Sequence, residues 1–178
     1  VQPLVCGLVL LVTLAACRKE KADDQAPSVS FLLPGDGAEV TIKLDPRFPD
    51  FEAIGRGAKI VRQGGLVIFP TETVYGIAAN ADNARALVRL REVKRRSEDK
   101  PFTVMISKKD DLLKQSPCRT PVLFKLVDAY WPGPLTVVVP DRVQGKTLGF
   151  RIPNQRVALA LVREAGCPVA APSANISE

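Results

Sequence analysis

The residues in this sequence that are best suited to chemistry follow a short apolar run at Leu66–Phe69. Four apolar residues have the length of a buried strand. The run leads into Thr71, Glu72 and Thr73, which place two hydroxyls and a carboxylate at the end of that strand. Gly76 then allows the backbone to turn or to approach a ligand closely. The segment predicts either a binding loop or a plain polar connection after a strand.

A cluster of cations is the second candidate. Lys94, Arg95 and Arg96 are followed by Lys100 and Pro101, which favours an extended chain at Lys100. An arginine fork matches the geometry of phosphate or carboxylate, and lysine adds a point charge. Cations are also favoured at a helix C-terminus by the helix dipole. The cluster therefore indicates either phosphate binding or an ordinary helix end.

Single polar residues near strand ends complete the set. Arg151 lies between apolar neighbours, so its side chain faces either a pocket or solvent, because side chains alternate along a strand. Thr147 offers a hydroxyl near a strand terminus. Ser173 and Asn175 are two residues apart at another strand end, where one face could present both to a ligand, although a turn or cap is the usual role of such residues.

The composition excludes several kinds of catalysis. The chain of 178 residues contains no histidine, which removes Ser-His-Asp and Cys-His catalysis and histidine metal sites. Its four cysteines show no Cys-x-x-Cys spacing, and we find no convincing carboxylate pair and no Walker-type glycine loop. Hydroxyls, amides and cations remain, which bind and orient anions. This is the chemistry of nucleotidyl transfer driven by positioning and charge.

The charge distribution points in the same direction. The formal net charge is +6, and residues 1–40 hold three basic and five acidic side chains, so residues 41–178 carry +8. A basic body favours an anionic partner such as nucleotide phosphates or RNA. The length suits one domain with an appended segment.

The elements that must position these residues alternate between helices and strands. Helices are predicted with apolar positions from Phe51 to Val61, from an N-cap at Asp82 to Val93, from Pro121 to Tyr130, and from Gln155 to Ala165. Strands are predicted at 66–69, 103–106, 135–139, 147–152 and 167–171, with a polar turn around 108–111. Such alternation predicts an α/β fold with a mixed, twisted sheet.

The N-terminal segment differs from the rest. Residues 4–16 are apolar and end at Cys17, like a bacterial lipoprotein signal or a short signal h-region, but the run is too short for a membrane span. We interpret residues 1–39 as a signal-like or upstream-translated segment with a linker over about 22–40, and residues 40–178 as the domain. An exported lipoprotein is the alternative interpretation.

Five short motifs occur in order along residues 40–178. They are Pro70-Thr71-Glu72-Thr73-Val74-Tyr75-Gly76, Lys94-x-Arg96, Trp131-Pro132-Gly133-Pro134-Leu135-Thr136, Arg151-x-Pro153 and Pro172-Ser173-Ala174-Asn175-x-Ser177. Together they resemble the YrdC-like family of threonylcarbamoyl-AMP synthases. The resemblance implies an α/β twisted open mixed sheet with helices around a basic concave cavity. Because the family usually continues beyond the position of Ser177, it also implies a domain that is incomplete at its C-terminus.

The family's activity is the condensation of L-threonine, bicarbonate and ATP into threonylcarbamoyl-AMP, with release of pyrophosphate. By motif position, Thr73 and Arg151 would contact threonine. The remaining motif residues would bind ATP: Arg96, Lys100, Thr147, Ser173 and Asn175, with Lys94 and Arg96 as the catalytic cations. Magnesium would enter with ATP rather than through a protein cage.

The resemblance also implies partners and a location. Other proteins would move the threonylcarbamoyl group to transfer RNA, contact with RNA is possible, and the expected compartment is the cytoplasm with no stable membrane partner. Two alternatives stay open at this point. One is a double-stranded RNA-binding module that uses the basic face without chemistry, and the other is the related carbamoyl-transfer domain of hydrogenase maturation.

Overall fold

The computed structural model describes residues 28–32, 39–43, 50–97, 100–142 and 146–175. The apolar run at 4–17, with its resemblance to a signal, lies outside these residues. Among the described helices, none has both the length and the apolar character needed to cross a bilayer.

Eight described strands form one mixed sheet in the order β2-β1-β3-β4-β8-β5-β7-β6. Their bounds are Ser28–Leu32 (β1), Glu39–Lys43 (β2), Leu66–Phe69 (β3), Gly76–Asn80 (β4), Val104–Met105 (β5), Val137–Pro140 (β6), Thr147–Arg151 (β7) and Val169–Ala170 (β8). The pair β5 and β7 is parallel, and the other neighbouring strands are antiparallel. The predicted α/β class with a mixed sheet is confirmed.

Five described helices cover the two faces of this sheet. They are Phe51–Arg62 (α1), Ala84–Lys94 (α2), Lys109–Gln115 (α3), Pro121–Tyr130 (α4) and Arg156–Ala165 (α5). On one face, α1 and α5 pack on strand residues such as Val67, Phe69 and Met105. On the other face, α2 packs on Leu66 and Ile77, and the buried residues of α3 and α4 pack near β6 and β7. Neighbouring residues of one strand thus enter different cores, because their side chains alternate.

Side-chain caps explain where several helices begin and end. The Asp50 carboxylate accepts the backbone N–H groups of Glu52 and Ala53 at the start of α1. Thr120 caps α4, whose first position is Pro121, as the sequence predicts. Gln155 caps α5, which ends at Gly166 with φ +64°, a conformation that favours glycine.

The start and the buried face of α2 differ from the prediction. Asn83, and not Asp82, is the N-cap, since its Oδ1 accepts the N–H groups of Arg85 and Ala86. Asp82 lies one residue too early and belongs to the preceding turn. Val93 was expected on the apolar face but is 45% exposed, whereas Lys94 is only 2% exposed. The buried face of α2 therefore includes Lys94, and Val93 lies on the exposed side.

Other expectations are wrong for local reasons. The polar turn predicted around 108–111 is the beginning of α3, because this short helix has few apolar positions and leaves a weak periodic signal. Phe51 was assigned to an apolar face but is 73% exposed at the first position of α1. The linker interpretation does not hold for Ser28–Leu32, which pairs with both β2 and β3. Nearby prolines and glycines conceal the alternation of this strand.

Strand β4 was not predicted either. Its sequence, Gly-Ile-Ala-Ala-Asn, has mostly small residues with low β-propensity. It pairs with β3 on one side and β8 on the other. Pairing and burial between two neighbours therefore determine this strand more than its own residues do.

Candidate substrate-binding site

The loop between β3 and β4 is organised by the hydroxyl of Thr71. This hydroxyl donates to the carbonyl of Val74 at 2.6 Å and accepts the N–H groups of Thr73 and Val74 at 3.2 and 3.3 Å. It also shares a hydrogen bond of 3.0 Å with the Thr73 hydroxyl. Threonine in a turn commonly satisfies its local backbone in this way. The loop therefore holds Thr73 in a fixed position before any ligand arrives.

Arg151, at the end of β7, faces this loop and not solvent. Arg151 is 9% exposed, and its Nε donates to the carbonyl of Gly133 at 3.1 Å. Its Nη1 and Nη2 lie 3.3 and 3.4 Å from the Thr73 hydroxyl oxygen. The two residues that the resemblance assigns to threonine are thus in direct contact, although 78 positions separate them in sequence.

A carboxylate that the sequence analysis gave no role completes this cluster. Glu72 Oε1 accepts from Arg151 Nη2 at 2.9 Å and from the backbone N–H of Asn154 at 2.8 Å. A buried guanidinium requires such a partner. Glu72 lies beside Thr73 in the motif, and this position is the only sign in the sequence that Glu72 belongs to the site. Its contact with Asn154 depends on the fold and cannot be read from the sequence.

The end of α2 directs the two predicted catalytic cations to different places. Arg95, with φ 50°, ends the helix, and the N–H of Arg96 turns back to the Arg91 carbonyl at 3.0 Å. Lys94 points inward, and its Nζ donates to the carbonyl of Ser173 at 2.8 Å. Burial, followed by the positive charge of Arg96, lowers the pKa of Lys94. Lys94 thus holds the loop that carries Ser173.

Arg96 contacts the segment that follows α2. Its Nε and Nη2 donate to the carbonyls of Lys100 and Pro101 at 3.4 and 2.9 Å. Its guanidinium lies 5.3 Å from the centre of the Phe102 ring, and that of Arg91 lies 4.8 Å from the same ring, distances suited to cation–π attraction. Within the described part of the chain, Arg96 Nη1 makes no hydrogen bond, while the Lys100 side chain is exposed.

Backbone contacts bring the predicted loops together. The N–H of Ala174 donates to the carbonyl of Tyr75 at 2.8 Å, and that of Ile77 donates to the carbonyl of Pro172 at 3.0 Å. The loop of Thr73 therefore borders the loop of Ser173 and Asn175. The N–H of Ala171 donates to the carbonyl of Thr103 at 2.9 Å, which places the 100–103 segment beside the same loop.

Thr147 lies at the start of β7 and is exposed. It lines a cavity of about 350 Å³ together with Arg91, Phe102 and Lys146. Among the described residues, no hydrogen bond joins Thr147 to the other predicted site residues. Phe102 lines the same cavity as Thr147 and also lies against the Arg96 guanidinium. Thr147 is thus next to the Arg96 segment.

None of these residues lines the second cavity. It has a volume of about 580 Å³ and is lined by residues such as Asp82, Lys108, Arg163 and Cys167. Burial and the nearby Asp82 carboxylate raise the pKa of Cys167, which disfavours the reactive thiolate. Within the described ranges, no group of three Cys, Asp or Glu side chains could hold a metal ion.

Comparison with known proteins points to one family. The Sua5_yciO_yrdC family model, described as telomere recombination, matches residues 59–178. The chain is 38% identical over 151 residues to the threonylcarbamoyl-AMP synthase of Bacillus subtilis, covering 78% of this chain and 42% of that protein. It is 40% identical over 131 residues to that of Pyrococcus abyssi, covering 67% of this chain and 38% of that protein. The chain therefore spans about two fifths of the length of these curated relatives.

A solved structure is similar in fold and sequence. The crystal structure of Pyrococcus abyssi Sua5 complexed with L-threonine superposes with a TM-score of 0.69 at 36% identity, covering 72% of this chain and 40% of that one.

Proposed function

Because this chain belongs to the Sua5_yciO_yrdC family, we propose that it carries the nucleotidyl-transfer site of a threonylcarbamoyl-AMP synthase. Its substrates are L-threonine, bicarbonate and ATP, and its products are threonylcarbamoyl-AMP and pyrophosphate. The observation that best supports this proposal is the contact of Arg151 with Thr73 in a loop that borders the Lys94–Ser173 contact. These neighbouring loops thus offer the Arg151 guanidinium for a carboxylate, and the cations at the end of α2 for phosphates.

In this proposal, Arg151 and Thr73 bind the amino acid. Arg151 is held by the Gly133 carbonyl and by Glu72, so its guanidinium has a fixed direction. The Thr73 oxygen lies in front of both terminal nitrogens. An incoming carboxylate pairs with this guanidinium, and the Thr73 hydroxyl turns to hydrogen-bond the ligand. Preorganisation of this kind reduces the entropy lost on binding.

The nucleotide lies on the other side of the 70–75 loop. Arg96 Nη1 and the exposed Lys100 side chain contact its phosphates, while Lys94 adds positive charge from beneath the Ser173 loop. Thr147, Ser173 and Asn175 offer hydroxyl and amide groups around the nucleotide. Charge-assisted hydrogen bonds to phosphate are shorter and stronger than neutral ones, so the cations supply most of the binding.

The reaction then follows from positioning and charge. The threonine amine and bicarbonate form a carbamate with loss of water. A carbamate oxygen attacks the α-phosphorus of ATP, a new P–O bond forms, and the bond between the α-phosphorus and the bridging oxygen breaks, so that pyrophosphate leaves with the bond electrons. The cations Lys94, Arg96 and Lys100 stabilise the charge on the phosphates as this happens.

Magnesium belongs to the substrate in this proposal. Mg²⁺ usually binds through substrate phosphates and water and only one or two carboxylates. It therefore arrives as Mg·ATP and neutralises phosphate charge together with the protein cations. We further propose that the product is passed on to proteins that modify transfer RNA, and that this takes place in the cytoplasm.

Exchange of labelled pyrophosphate into ATP tests the proposed function. The proposal expects exchange only when L-threonine and bicarbonate are both present. A double-stranded RNA-binding module would show no exchange but would bind RNA with a steep dependence on salt. A carbamoyl-transfer domain would show exchange with carbamoyl phosphate in place of threonine and bicarbonate. Either of these results would contradict the proposal.

A further inference from the structure

The carboxylate of Glu72 is only half used by the protein. Its Oε1 accepts two hydrogen bonds, from Arg151 Nη2 at 2.9 Å and from the Asn154 N–H at 2.8 Å. Its Oε2 is buried, and among the described residues it has no hydrogen-bond partner. A buried carboxylate oxygen without a donor is unfavourable, and nearly all buried polar atoms in native proteins have a partner. The position of Oε2 therefore requires an explanation.

The contacts of the Glu72 carboxylate indicate the kind of donor that Oε2 would accept. Glu72 is next to Thr73 in sequence, and its carboxylate is paired with Arg151, so it belongs to the amino-acid side of the proposed site. A free α-amino acid carries an ammonium and a carboxylate on the same carbon. Groups that recognise both must therefore be neighbours of opposite charge. Glu72 and Arg151 are such a pair, and their side chains are 19% and 11% exposed.

We propose that Glu72 is the residue that recognises the ammonium group of the amino-acid substrate, with Oε2 as the acceptor. This inference rests on the proposed function and adds a specificity-determining residue to it. Arg151 selects the carboxylate and Glu72 selects the ammonium, so the site prefers a free amino acid to a hydroxy acid of the same shape. The contact also fixes the position of the nitrogen relative to the carboxylate. The ammonium then loses one proton to water, and the resulting amine bonds to the carbon of bicarbonate.

The test compares two ligands that differ only in the group that Glu72 would contact. L-Threonine and (R)-3-hydroxybutyrate share a carboxylate, a hydroxyl and a methyl group, and the latter has hydrogen in place of the ammonium. Isothermal titration of the unaltered protein should show L-threonine binding about ten- to a hundredfold more tightly, the range for one charge-assisted hydrogen bond. Equal affinities for the two ligands would overturn the inference without any variant.

The variant Glu72→Gln tests the residue itself. Glutamine keeps one oxygen for Arg151 and Asn154 but replaces the other with an NH₂ donor, which repels an ammonium. We expect L-threonine affinity to fall by about ten- to a hundredfold, with the affinity for 3-hydroxybutyrate unchanged. Glu92→Gln, on the exposed side of α2, is the matched control and should bind both ligands like the unaltered protein.

The outcomes separate this inference from the function on which it rests. If Glu72 only orients Arg151, both ligands lose affinity equally in Glu72→Gln, and the inference is wrong. If the unaltered protein binds L-threonine and the variant binds it equally well, the inference is also wrong, while the proposed function stands. If the unaltered protein binds no L-threonine, the proposed function fails and the inference fails with it.

Discussion

Arg96 is the residue whose role depends most on its geometry. Its Nε and Nη2 hold the 100–101 segment, and in the proposed function its Nη1 contacts a phosphate. Lysine at this position could not make both kinds of contact, so Arg96→Lys should not be conservative. We expect Arg96→Ala to weaken ATP binding by about ten- to a hundredfold, which corresponds to about 1.5–3 kcal/mol for a hydrogen bond to a charged group. Isothermal titration with ATP measures this.

Adenosine separates a phosphate contact from a disturbed loop. If Arg96 binds phosphate, its removal weakens the binding of ATP and leaves the binding of adenosine unchanged. If ATP and adenosine lose affinity equally, Arg96 acts only by ordering residues 100–102. Arg85→Ala, on the exposed side of α2, is the control for the loss of one positive charge.

Lys94 gives a prediction about pH. Burial and the charge of Arg96 lower the pKa of Lys94 in the folded protein below its ordinary value of 10.5. In the pH range between the folded and unfolded pKa values, the unfolded chain binds more protons, so the free energy of unfolding rises with pH. Relative to Lys94→Met, the stability of the unaltered protein should therefore increase as the pH approaches 10.5, with a slope of at most about 1.4 kcal/mol per pH unit.

Urea denaturation of both proteins between pH 8 and pH 10.5 measures this slope. Lys125→Met, on the exposed surface of α4, is the control for the removal of a lysine. If the free energy of unfolding of the unaltered protein, minus that of Lys94→Met, stays constant or falls as the pH rises, the buried position of Lys94 is contradicted.

The sequence reveals single site residues only in part. Thr73, Arg96 and Arg151 were singled out from motifs. The structure brings Thr73 and Arg151 into contact, and their binding of L-threonine stays a prediction. The role of Glu72 was missed because its partners, Arg151 and the N–H of Asn154, are about 80 positions away along the chain. The burial of Lys94 was missed because a basic helix end normally faces solvent, and only the carbonyl of Ser173 makes an inward lysine favourable.

At the level of elements, the turn between α4 and β6 positions Arg151. The N–H of Gly133 donates to the carbonyl of Ile152 at 2.8 Å, and its own carbonyl accepts from Arg151 Nε at 3.1 Å. A Cβ atom at Gly133 would overlap the backbone carbonyl oxygen of Tyr130. Gly133→Ala must therefore move this turn. We expect a loss of about 1–3 kcal/mol in the free energy of unfolding, together with weaker threonine binding.

Gly55→Ala is the matched control for this change. Gly55 lies inside α1, and nothing lies within 4 Å of a Cβ at this position. Alanine in a helix interior is favoured over glycine by about 0.5–1 kcal/mol, so this variant should be slightly more stable and bind threonine normally. Chemical denaturation and threonine titration measure both. A Gly133→Ala variant as stable as the unaltered protein would show that the turn does not constrain β7.

Elements with strong local signals were predictable. α1, α4 and α5 have caps and apolar periodicity, and the structure confirms them with nearly the predicted bounds. The strands Gly76–Asn80 and Ser28–Leu32 were not predicted, because these segments form strands through pairing with their neighbours rather than through the β-propensity of their own residues. The α2 N-cap was misplaced by one residue because Asp82 and Asn83 are both good caps and only the geometry selects one of them.

At the level of the whole molecule, the mixed sheet brings together the Thr73 loop, the Ser173 loop and the end of β7. The antiparallel pairing of β4 with β8 places the Thr73 loop beside Ser173, and β7 carries Arg151 to the same loop from two strands further across the sheet. The α/β class was predictable from the alternation of elements. The strand order was not, because it depends on contacts that are distant in sequence.

The most direct test of this account is the formation of threonylcarbamoyl-AMP by the purified protein. Mass spectrometry would follow the product in the presence of ATP, magnesium, L-threonine and bicarbonate. We expect product and pyrophosphate in equal amounts, none when any substrate is omitted, and none in excess chelator until magnesium is restored. Absence of product from folded protein with all substrates present, or full product formation in excess chelator, would contradict the account.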